Sequence, residues 1–467
     1  MIDTVWLEAL MVLNSFRKMF FAGAICALLG SVRAQVVELR ATINAAQENP
    51  ATASEATGSA IMFYNVATST FDLMISLRGM TNTASASHLH EGAAGANGGV
   101  VTNLGAEAVY TRSGSTLTAT WRDIKHGGTA LTLLKGGVYF NIHSAQFPGG
   151  EVRGQLIARP VRLYASMTVA QEQAAFPAVA LVGLNDFGGA VMMYDPTTNQ
   201  LSLRSSVFNF NNVLSNSHVH EGAAGVSGGV AHNLGNNANA GIYSNVSGAI
   251  QGAFDGPYLG DPVKLLSGGA YLNYHSTTFS GGELRGQIVG ASEIPASRYI
   301  NLSVRGFVGT GEQALISGLV INGTEPVRTL ITAKGPSLAA FGISGPLANP
   351  RLDIYDSANR KIASNDDVGA LIAGSELASL PGVPRNAVES ALVLVLPPGN
   401  YTAIVSSAGG TGVAILEVND LRTLSGTFTT VAVQQPTIPA RASSLAVASK
   451  AALEFCTAPL ATALVRP

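Results

Sequence analysis

Histidines spaced so that they can converge on one point are the residues of this sequence best suited to chemistry. A segment Ser-His-x-His-Glu-Gly-Ala-Ala-Gly occurs twice, and each time a later Asn-x-His segment adds a third histidine. In a strand, residues i and i+2 point to the same face and lie about 6.6 Å apart, at roughly 3.3 Å per residue. A His-x-His pair can therefore aim two imidazoles at one point. The residues are His88, His90 and His143 in the first copy and His218, His220 and His275 in the second.

Two interpretations of these histidines follow from their chemistry. Three neutral imidazoles suit Zn or Cu, with Asn141 or Asn273 on the face of the third histidine. Alternatively, the imidazoles hydrogen-bond one another and nearby backbone, and only stabilise the sheet. Imidazole nitrogens within about 4 Å of one point would favour a metal, whereas nitrogens capped by backbone carbonyls would favour the structural role.

A copper redox enzyme is a third interpretation. A His-x-His-Glu strand followed by a glycine-rich loop resembles the copper-ligating strand of copper-zinc superoxide dismutases, which share a β-sandwich architecture. The sequence departs from those enzymes, because it has no recognisable bridging histidine, no histidine-rich zinc loop and no cysteine pair for a disulfide after export.

A Glu-x-Arg-Gly-Gln segment follows the histidines in both copies. Its polar residues alternate along a strand and share one face, so we expect a structural ion pair rather than a catalytic acid, which would need a second acid or a nucleophile nearby. The preceding glycine pairs predict turns with positive φ. The polar residues are Glu151, Arg153 and Gln155 in the first copy and Glu283, Arg285 and Gln287 in the second.

Two further groups of polar residues give weaker signals of function. Four aspartates offer hard oxygen ligands for calcium, although their spacing does not match a 12-residue calcium loop. These are Asp353, Asp356, Asp366 and Asp367. The remaining histidines, His126 and His232, have no counterpart in the other copy, and we expect them at the surface.

Composition points to an all-β protein of several domains. The 467 residues suffice for about three domains of roughly 100–200 residues each. The 52 glycines, with many Ala, Val, Ser and Thr residues, suit short strands joined by tight turns. Only 12% of residues are charged and the net charge is -2, so no nucleic-acid-binding surface is expected.

Repeated motifs define the domains. Residues 35–159 form a first repeat and residues 160–292 a second, because His88 and His218 match at an offset of 130 residues and the other motifs follow in the same order. Residues 297–423 alternate strand-like segments with turns, as in an antiparallel β-sandwich. Residues 424–467 form a low-complexity tail.

Both repeats resemble the chordin-type (CHRD) domain. That family carries a His-x-His-x-Gly segment, an apolar strand ending in Asn-x-His, and Gly-Glu-x-Arg-Gly-Gln, and each repeat has all three in order. The resemblance implies two tandem extracellular β-sandwich or barrel domains. It does not imply growth-factor binding, since the cysteine-rich modules of the animal members are missing.

The third domain is similar to secreted β-sandwich modules found beside exported peptidases. The residues that carry this resemblance are 334–338, 352–356, 362–367 and 396–403. It implies adhesion, stability or display rather than catalysis, and no peptidase motif is visible in the chain.

The N-terminus is typical of an export signal. Arg17 and Lys18 precede an apolar run at 19–29, and Ala34 ends a small-x-small cleavage site, so residues 1–34 are a predicted signal peptide with Met1 or Met11 as its start. The run is shorter than the about 20 residues of a membrane span, so none is expected after cleavage. The mature chain would keep Cys456 and lose Cys26, and so have no internal disulfide.

The sequence thus predicts an exported protein with two chordin-type domains and a third sandwich. It favours non-enzymatic binding or structural work at the cell surface or outside the cell, with an extracellular protein or a surface polymer as partner. Zn or Cu binding by the histidines, and calcium binding by the aspartates, are the cofactor predictions.

Overall fold

The computed structural model describes residues 35–177, 181, 183–235, 243–246, 248–291, 301–369, 377 and 380–421. The predicted signal peptide (1–34), the tail (424–467) and both cysteines lie outside the described residues.

The first repeat folds into one antiparallel sheet. Its elements are β1 (Val36–Asn44), β2 (Thr57–Asn65), β3 (Thr70–Arg78), β4 (Ala84–Glu91), β5 (Gly99–Gly105), β6 (Thr111–Ser113), β7 (Thr116–Lys125), α1 (Ala130–Leu134), β8 (Val138–Ser144), β9 (Val152–Gln155) and β10 (Ile157–Ala158), with short 3₁₀ helices at Ala45–Gln47 and Glu107–Val109. The strand order is β5-β4-β8-β9-β1-β2-β3-β7-β6, and β10 pairs with β1.

The second repeat has the same topology. Its elements are β11 (Val161–Thr168), α2 (Val169–Ala175), β12 (Phe187–Asp195), β13 (Gln200–Phe208), β14 (Leu214–Glu221), β15 (Gly229–Gly235), β16 (Tyr243–Val246), β17 (Ala249–Pro257), α3 (Pro262–Ser267), β18 (Ala270–Ser276), β19 (Leu284–Gln287) and β20 (Val289–Gly290). The order β15-β14-β18-β19-β11-β12-β13-β17-β16, with β20 on β11, matches the first sheet strand for strand. The predicted duplication is confirmed.

Two four-stranded antiparallel sheets follow. They comprise β21 (Asn301–Val308), β22 (Leu315–Ile321), β23 (Val327–Lys334), β24 (Asn349–Tyr355), β25 (Lys361–Asn365), β26 (Ser390–Leu396), β27 (Gly399–Gly409) and β28 (Gly412–Asp420), with a 3₁₀ helix at Pro336–Phe341. The orders are β21-β28-β23-β26 and β22-β27-β24-β25. Leu394 of the first sheet and Leu352 and Val405 of the second belong to one buried cluster, so the two sheets share a core. The all-β prediction is confirmed.

By compactness the chain divides into two units. One holds the first repeat to Leu156 together with Gly222–Val226 and Val263–Ala270, and the other holds the rest of the second repeat with the C-terminal sheets. Within this second unit, Phe208 and Ala249 of the second repeat join the hydrophobic core of the C-terminal sheets.

Tight turns repeat as the strands do. After β2, Asn65 Oδ1 accepts hydrogen bonds from the backbone N–H groups of Ala67 and Thr68. After β12, Asp195 Oδ1 accepts the equivalent bond from Thr197. This is the turn that Asn and Asp side chains favour, and it sets the register of both hairpins.

The helices between the strands are short. Within the described residues the longest is α2, which has 7 residues and is capped by Thr168, whose side chain accepts from the N–H of Gln171. Among the helices of the described chain, none has the length and apolar character needed to cross a membrane.

Strand β8 is buried on both of its faces. Phe140 and Ile142 on one face are fully buried in the hydrophobic core. Tyr139 and Asn141 on the other face are 3% and 2% exposed. A strand that would have a solvent face in a simple sheet is therefore covered on that face too, and its covered polar face carries the candidate site.

We predict that Gly154→Ala destabilises the first repeat by about 1–3 kcal/mol. A Cβ at Gly154 would lie 2.7 Å from Ile43 Cγ1 and 2.8 Å from Thr42 O, so strand β9 could not keep its place beside β1. Urea unfolding followed by the fluorescence of Trp121, which lies in β7, measures the change once Trp6 is replaced by Phe.

Gly149→Ala is the matched control, because a Cβ at Gly149 meets nothing within 4 Å. We expect a change within about 0.5 kcal/mol for that variant. Equal stability of the two variants would contradict the packing of β9 described here.

Candidate metal centre

Strands β4 and β8 bring together the three histidines of the first repeat. The strands are antiparallel neighbours, with His88 opposite Asn141 and His90 opposite Tyr139. His88 and His90 lie on one face because they are two residues apart, and His143 lies on the same face two residues after Asn141. The sequence-predicted set is therefore assembled by simple strand geometry.

The three imidazoles contact one another. Ring centroids are 5.4 Å apart for His88 and His90, 5.1 Å for His88 and His143, and 5.9 Å for His90 and His143. One ring nitrogen from each residue can be chosen so that all three lie within 4.8 Å of one another.

Backbone carbonyls fix which nitrogen of two rings carries the proton. His90 Nδ1 lies 2.9 Å from Gly98 O, and His143 Nδ1 lies 3.0 Å from Pro148 O. A carbonyl oxygen only accepts, so both Nδ1 atoms must be protonated. In the neutral rings, each Nε2 therefore carries a lone pair that points away from the carbonyl.

The two free lone pairs have different surroundings. His143 Nε2 lies 3.2 Å from His88 Nδ1, which can donate to it. His90 Nε2 is buried and has no hydrogen-bond partner among the described residues. A buried acceptor without a donor costs free energy, so this atom calls for an explanation.

The second repeat has the same arrangement. His218 Nδ1 lies 3.1 Å from His275 Nε2, and the Nδ1 atoms of His220 and His275 donate to Gly228 O and Ser280 O at 2.9 Å each. His220 Nε2 is again buried without a hydrogen-bond partner in the described chain. Ring nitrogens from the three residues lie within 4.8 Å of one another, as in the first repeat.

Burial favours the neutral form of His88, His90, His218, His220 and His275. It lowers the pKa values of His88 and His90, and the neighbouring His143 lowers them further. Burial and His275 together lower the pKa of His218 to about 4. Near pH 7 the clusters therefore present lone pairs rather than positive charges, as a metal requires.

A second polar layer adjoins the histidines. The ring of Tyr139 stacks on His90 with centroids 4.9 Å apart, and the guanidinium of Arg153 lies 3.4 Å from the centroid of the same ring. Asn141 Nδ2 donates to Glu48 Oε1 at 2.8 Å. Glu48 is 8% exposed, and burial raises its pKa to about 7, while Arg153 lowers it.

The predicted ion pair between Glu151 and Arg153 is wrong. Glu151 accepts hydrogen bonds from Asn82 and Ser54, and Arg153 donates to backbone carbonyls and to Gln155. Glu151 precedes β9, which begins at Val152, so it does not follow the alternation of the strand. The φ of +133° at Gly150 turns the chain there, as the glycine pair predicts.

In the second repeat the glutamate and the arginine of this motif also have separate partners, and these partners differ from those in the first repeat. Glu283 accepts from Asn212 at 2.9 Å and faces the carboxyl of Asp186. Burial, followed by the hydrogen bond with Glu283, raises the pKa of Asp186 to about 8. Arg285 lies 3.4 Å from the centroid of the Tyr271 ring and donates to Gln287.

His126 and His232 are not surface residues, contrary to expectation. Each is 3% exposed. His126 packs edge-on against Tyr64, and His232 packs edge-on against Phe254. Neither residue belongs to a three-histidine cluster.

The four aspartates predicted to bind calcium are not gathered into a cluster. Asp353 pairs with Arg351 and Lys361, and Asp356 with Arg360. These cations neutralise the carboxylates that calcium would need. The groups of three or more His, Cys, Asp or Glu able to hold a metal among the described residues are the two histidine sets.

Sequence reasoning missed the buried glutamates of the polar layer. Glu48 and Glu172 come from the segment before the second strand of each repeat, far in sequence from the histidines. Asn273 Nδ2 donates to Glu172 at 3.0 Å, as Asn141 does to Glu48. A signal was available in the sequence, since Gln47-Glu48 is repeated as Gln171-Glu172.

Comparison with known proteins identifies one family. The family model of the CHRD domain matches residues 39–156 and 164–288, which together make up more than half of the chain. No curated protein matches the sequence. Among solved structures, the chain is similar to one from the atomic structure of Sulfolobus turreted icosahedral virus, with 8% identity over 84% of this chain and 80% of that one. The TM-score of 0.15 is too low to support any argument.

We predict that Glu172→Gln removes a large pH dependence of stability. Burial raises the pKa of Glu172 from 4.5 to about 7, so its stabilising contribution is full below pH 4.5 and is lost as the pH rises through 7. The wild type should lose on the order of 3 kcal/mol relative to the variant between pH 5 and pH 8. Urea unfolding at both pH values measures the difference.

The exposed Glu312→Gln variant is the control and should follow the wild type at both pH values. The histidines act in the opposite direction, since their lowered pKa values make stability rise with pH, but they are the same in all three proteins. An unchanged difference between wild type and Glu172→Gln at pH 5 and pH 8 would refute a buried, proton-holding Glu172.

Proposed function

Since this chain belongs to the CHRD domain family, with a domain in each repeat, we propose that it is a non-enzymatic extracellular binding protein that holds one transition-metal ion per CHRD domain. Family membership supports a binding or structural protein outside the cell. The metal is the finer part of the proposal and rests on the histidine clusters.

The observation that carries the proposal is the buried, unpartnered Nε2 of His90 and of His220. In each case Nδ1 of the same ring is anchored by a backbone carbonyl. Metal-binding histidines characteristically donate their other N–H to such an acceptor, which orients the ring and fixes its tautomer. Buried ring nitrogens without a hydrogen-bond partner also occur at His126 and His232, so the argument for a metal needs a second observation. Only at His90 and His220 do ring nitrogens of three histidines lie within 4.8 Å of one another among the described residues.

The ligand set fits a first-row metal ion. Metal–nitrogen bonds of about 2.0–2.1 Å put the nitrogens of a tetrahedral site about 3.4 Å apart. His88 Nδ1 and His143 Nε2, at 3.2 Å, are already near that spacing, and the remaining adjustment closes ring nitrogens that lie within 4.8 Å of one another. Binding also requires His88 to carry its proton on Nε2 instead of Nδ1.

Zn²⁺ and Cu²⁺ are the ions we propose. Imidazole suits both, and three protein ligands leave one coordination position for water or an outside group. Such an open position would also suit the copper redox alternative, which the His-x-His-Glu strand first suggested. A superoxide-consumption assay on the copper-loaded protein separates the two, and activity well above that of free copper would favour the enzyme.

The C-terminal sheets complete the proposal. We propose that they act as an adhesion or display module, with an extracellular protein or a surface polymer as partner, and that residues 1–34 direct export.

We predict that the full-length mature protein, purified without a His-tag and stripped with chelator, takes up two equivalents of Zn²⁺ or Cu²⁺. His90→Ala should lower the uptake to one equivalent, His220→Ala should do the same, and the double variant should bind none. Equilibrium dialysis with elemental analysis gives the counts.

His126→Gln is the control, since it removes a buried histidine outside both clusters and should keep two equivalents. Folding of each variant is checked by circular dichroism. Failure of the wild type to take up either metal would leave the histidines with the structural role alone.

We also predict that the exported protein begins at Gln35. Small residues at 32 and 34 flank Arg33 and fit a signal-peptide cleavage site. Expression with a functional export pathway, followed by N-terminal mass spectrometry of the protein outside the cytoplasm, tests this. Retention of residues 1–34 in a protein that stays inside the cell would contradict export.

A further inference from the structure

The arginine of the Glu-x-Arg-Gly-Gln motif belongs to the polar layer beside the histidines, and it also contacts the loop that follows β4. We propose that Arg153 is a positioning residue that clamps the loop at residues 92–98. Gly98 O then holds His90 in the tautomer that keeps the proton on Nδ1 and leaves a lone pair on Nε2. Its consequence for metal binding rests on the proposed function, whereas its consequence for the His90 tautomer does not.

The contacts of Arg153 are with the loop itself. Its two terminal nitrogens donate to Ala96 O and Ala93 O, each at 2.8 Å. Gln155 accepts from Arg153 at 3.1 Å and donates in turn to Gly92 O at 2.9 Å. Two side chains from β9 thus bind three carbonyls of one glycine-rich loop.

Tyr139 holds the far end of the same loop. Its hydroxyl accepts from the N–H of Gly98 at 3.2 Å, while the carbonyl of Gly98 accepts from His90 Nδ1 at 2.9 Å. Strand β8 lies between β4 and β9, so the Tyr139 ring separates the imidazole of His90 from the guanidinium of Arg153. The N–H of Gly98 is therefore fixed by Tyr139 and its carbonyl by His90, on whose ring Tyr139 stacks.

The loop has little freedom to move as a whole. A Cβ at Gly98 would lie 1.7 Å from Glu91 O, so the backbone of this residue passes directly against the end of β4. Arg153 is 1% exposed and can exchange its loop contacts for water only if the loop lifts. Loss of the clamp should release residues 92–98 and with them the acceptor of His90.

An arginine is required for this geometry. A guanidinium presents N–H donors in a fixed fork and can bind two separate carbonyls at once, whereas the ammonium of lysine is a single point of charge. Without a fixed acceptor at Nδ1, a neutral imidazole can shift its proton to Nε2. That shift removes the Nε2 lone pair that would bind the metal. Loss of such outer partners typically weakens metal binding about 10–100-fold.

The second repeat has matching parts. Tyr271 OH accepts from Gly228 N–H at 3.1 Å, and Gly228 O accepts from His220 Nδ1 at 2.9 Å. Arg285 lies 3.4 Å from the Tyr271 ring centroid, as Arg153 does from that of Tyr139. The same link between arginine, tyrosine and histidine tautomer is therefore expected at both sites.

Arg153→Lys in the full chain tests the proposal, because it keeps the positive charge and removes the fork. Long-range ¹H–¹⁵N NMR on metal-free, ¹⁵N-histidine-labelled protein reports the tautomer of His90. We expect the Nδ1–H form in the wild type and a mixture of both forms in Arg153→Lys. In a His220→Ala background, where only the first site remains, Zn²⁺ affinity should fall about 10–100-fold.

Two further variants distinguish positioning from charge and from general destabilisation. Arg153→Met should weaken Zn²⁺ binding as Arg153→Lys does, whereas an electrostatic role predicts tighter binding once the cation is removed. Tyr139→Phe removes only the hydroxyl that holds Gly98, so it carries the test if the arginine variants do not fold. The exposed Arg122→Lys should change nothing.

The outcomes are separable from those of the proposed function. An unchanged His90 tautomer in folded Arg153→Lys and Tyr139→Phe would overturn the positioning role, whatever the metal result. A changed tautomer in a protein that takes up no metal would support the positioning role and reject the metal proposal.

Discussion

A backbone carbonyl accepts hydrogen bonds and cannot donate them, and the chemistry of both histidine clusters depends on that asymmetry. Gly98 O and Pro148 O each require a proton on the Nδ1 atom that faces them. The lone pairs of His90 and His143 therefore lie on Nε2, on the side of each ring away from the carbonyl. The tautomers follow from the fold rather than from the histidines themselves. Even the two criteria that seemed opposed in the sequence, convergence and capping by carbonyls, are met together, because they concern different nitrogens of the same rings.

The site also depends on a sheet that is covered on both faces. In the first repeat the apolar face of β8 packs in the core, and its polar face lies beneath the loop at 92–98 and beside the 3₁₀ helix at Ala45–Gln47. This second covering desolvates His88 and His90, which lowers their pKa values, and it desolvates Glu48, which raises its pKa to about 7. One physical cause therefore lowers the pKa values of these bases and raises the pKa of the acid.

The sequence predicted the parts of the site that obey strand periodicity and missed the parts that depend on loops. His88 and His90 were predicted to share a face because they are two residues apart, and the pairing of β4 with β8 places them so. Glu151 was assigned to the same strand as Arg153, but the chain turns at Gly150, and the carboxylate binds Asn82 instead. Glu48 could not be placed by periodicity, since it follows β1 and meets Asn141 of β8 only in the folded sheet, where β9 lies between these two strands.

A comparison of the two repeats also shows at which core positions the fold accepts different residue types. The core site next to Tyr64 in the first repeat holds His126, and its counterpart next to Tyr194 in the second holds Tyr258, at centroid distances of 6.0 and 6.1 Å. His232 then occupies the strand position that Thr102 has in the first repeat. A ring is needed to fill that space, and either a histidine or a tyrosine serves, so these two histidines are packing residues. No such exchange occurs at the clusters, where strand and loop positions alike repeat the imidazole, its carbonyl acceptor and the stacked tyrosine. Packing alone would tolerate substitution there too, so the repetition of all three parts is what the proposed metal site would require.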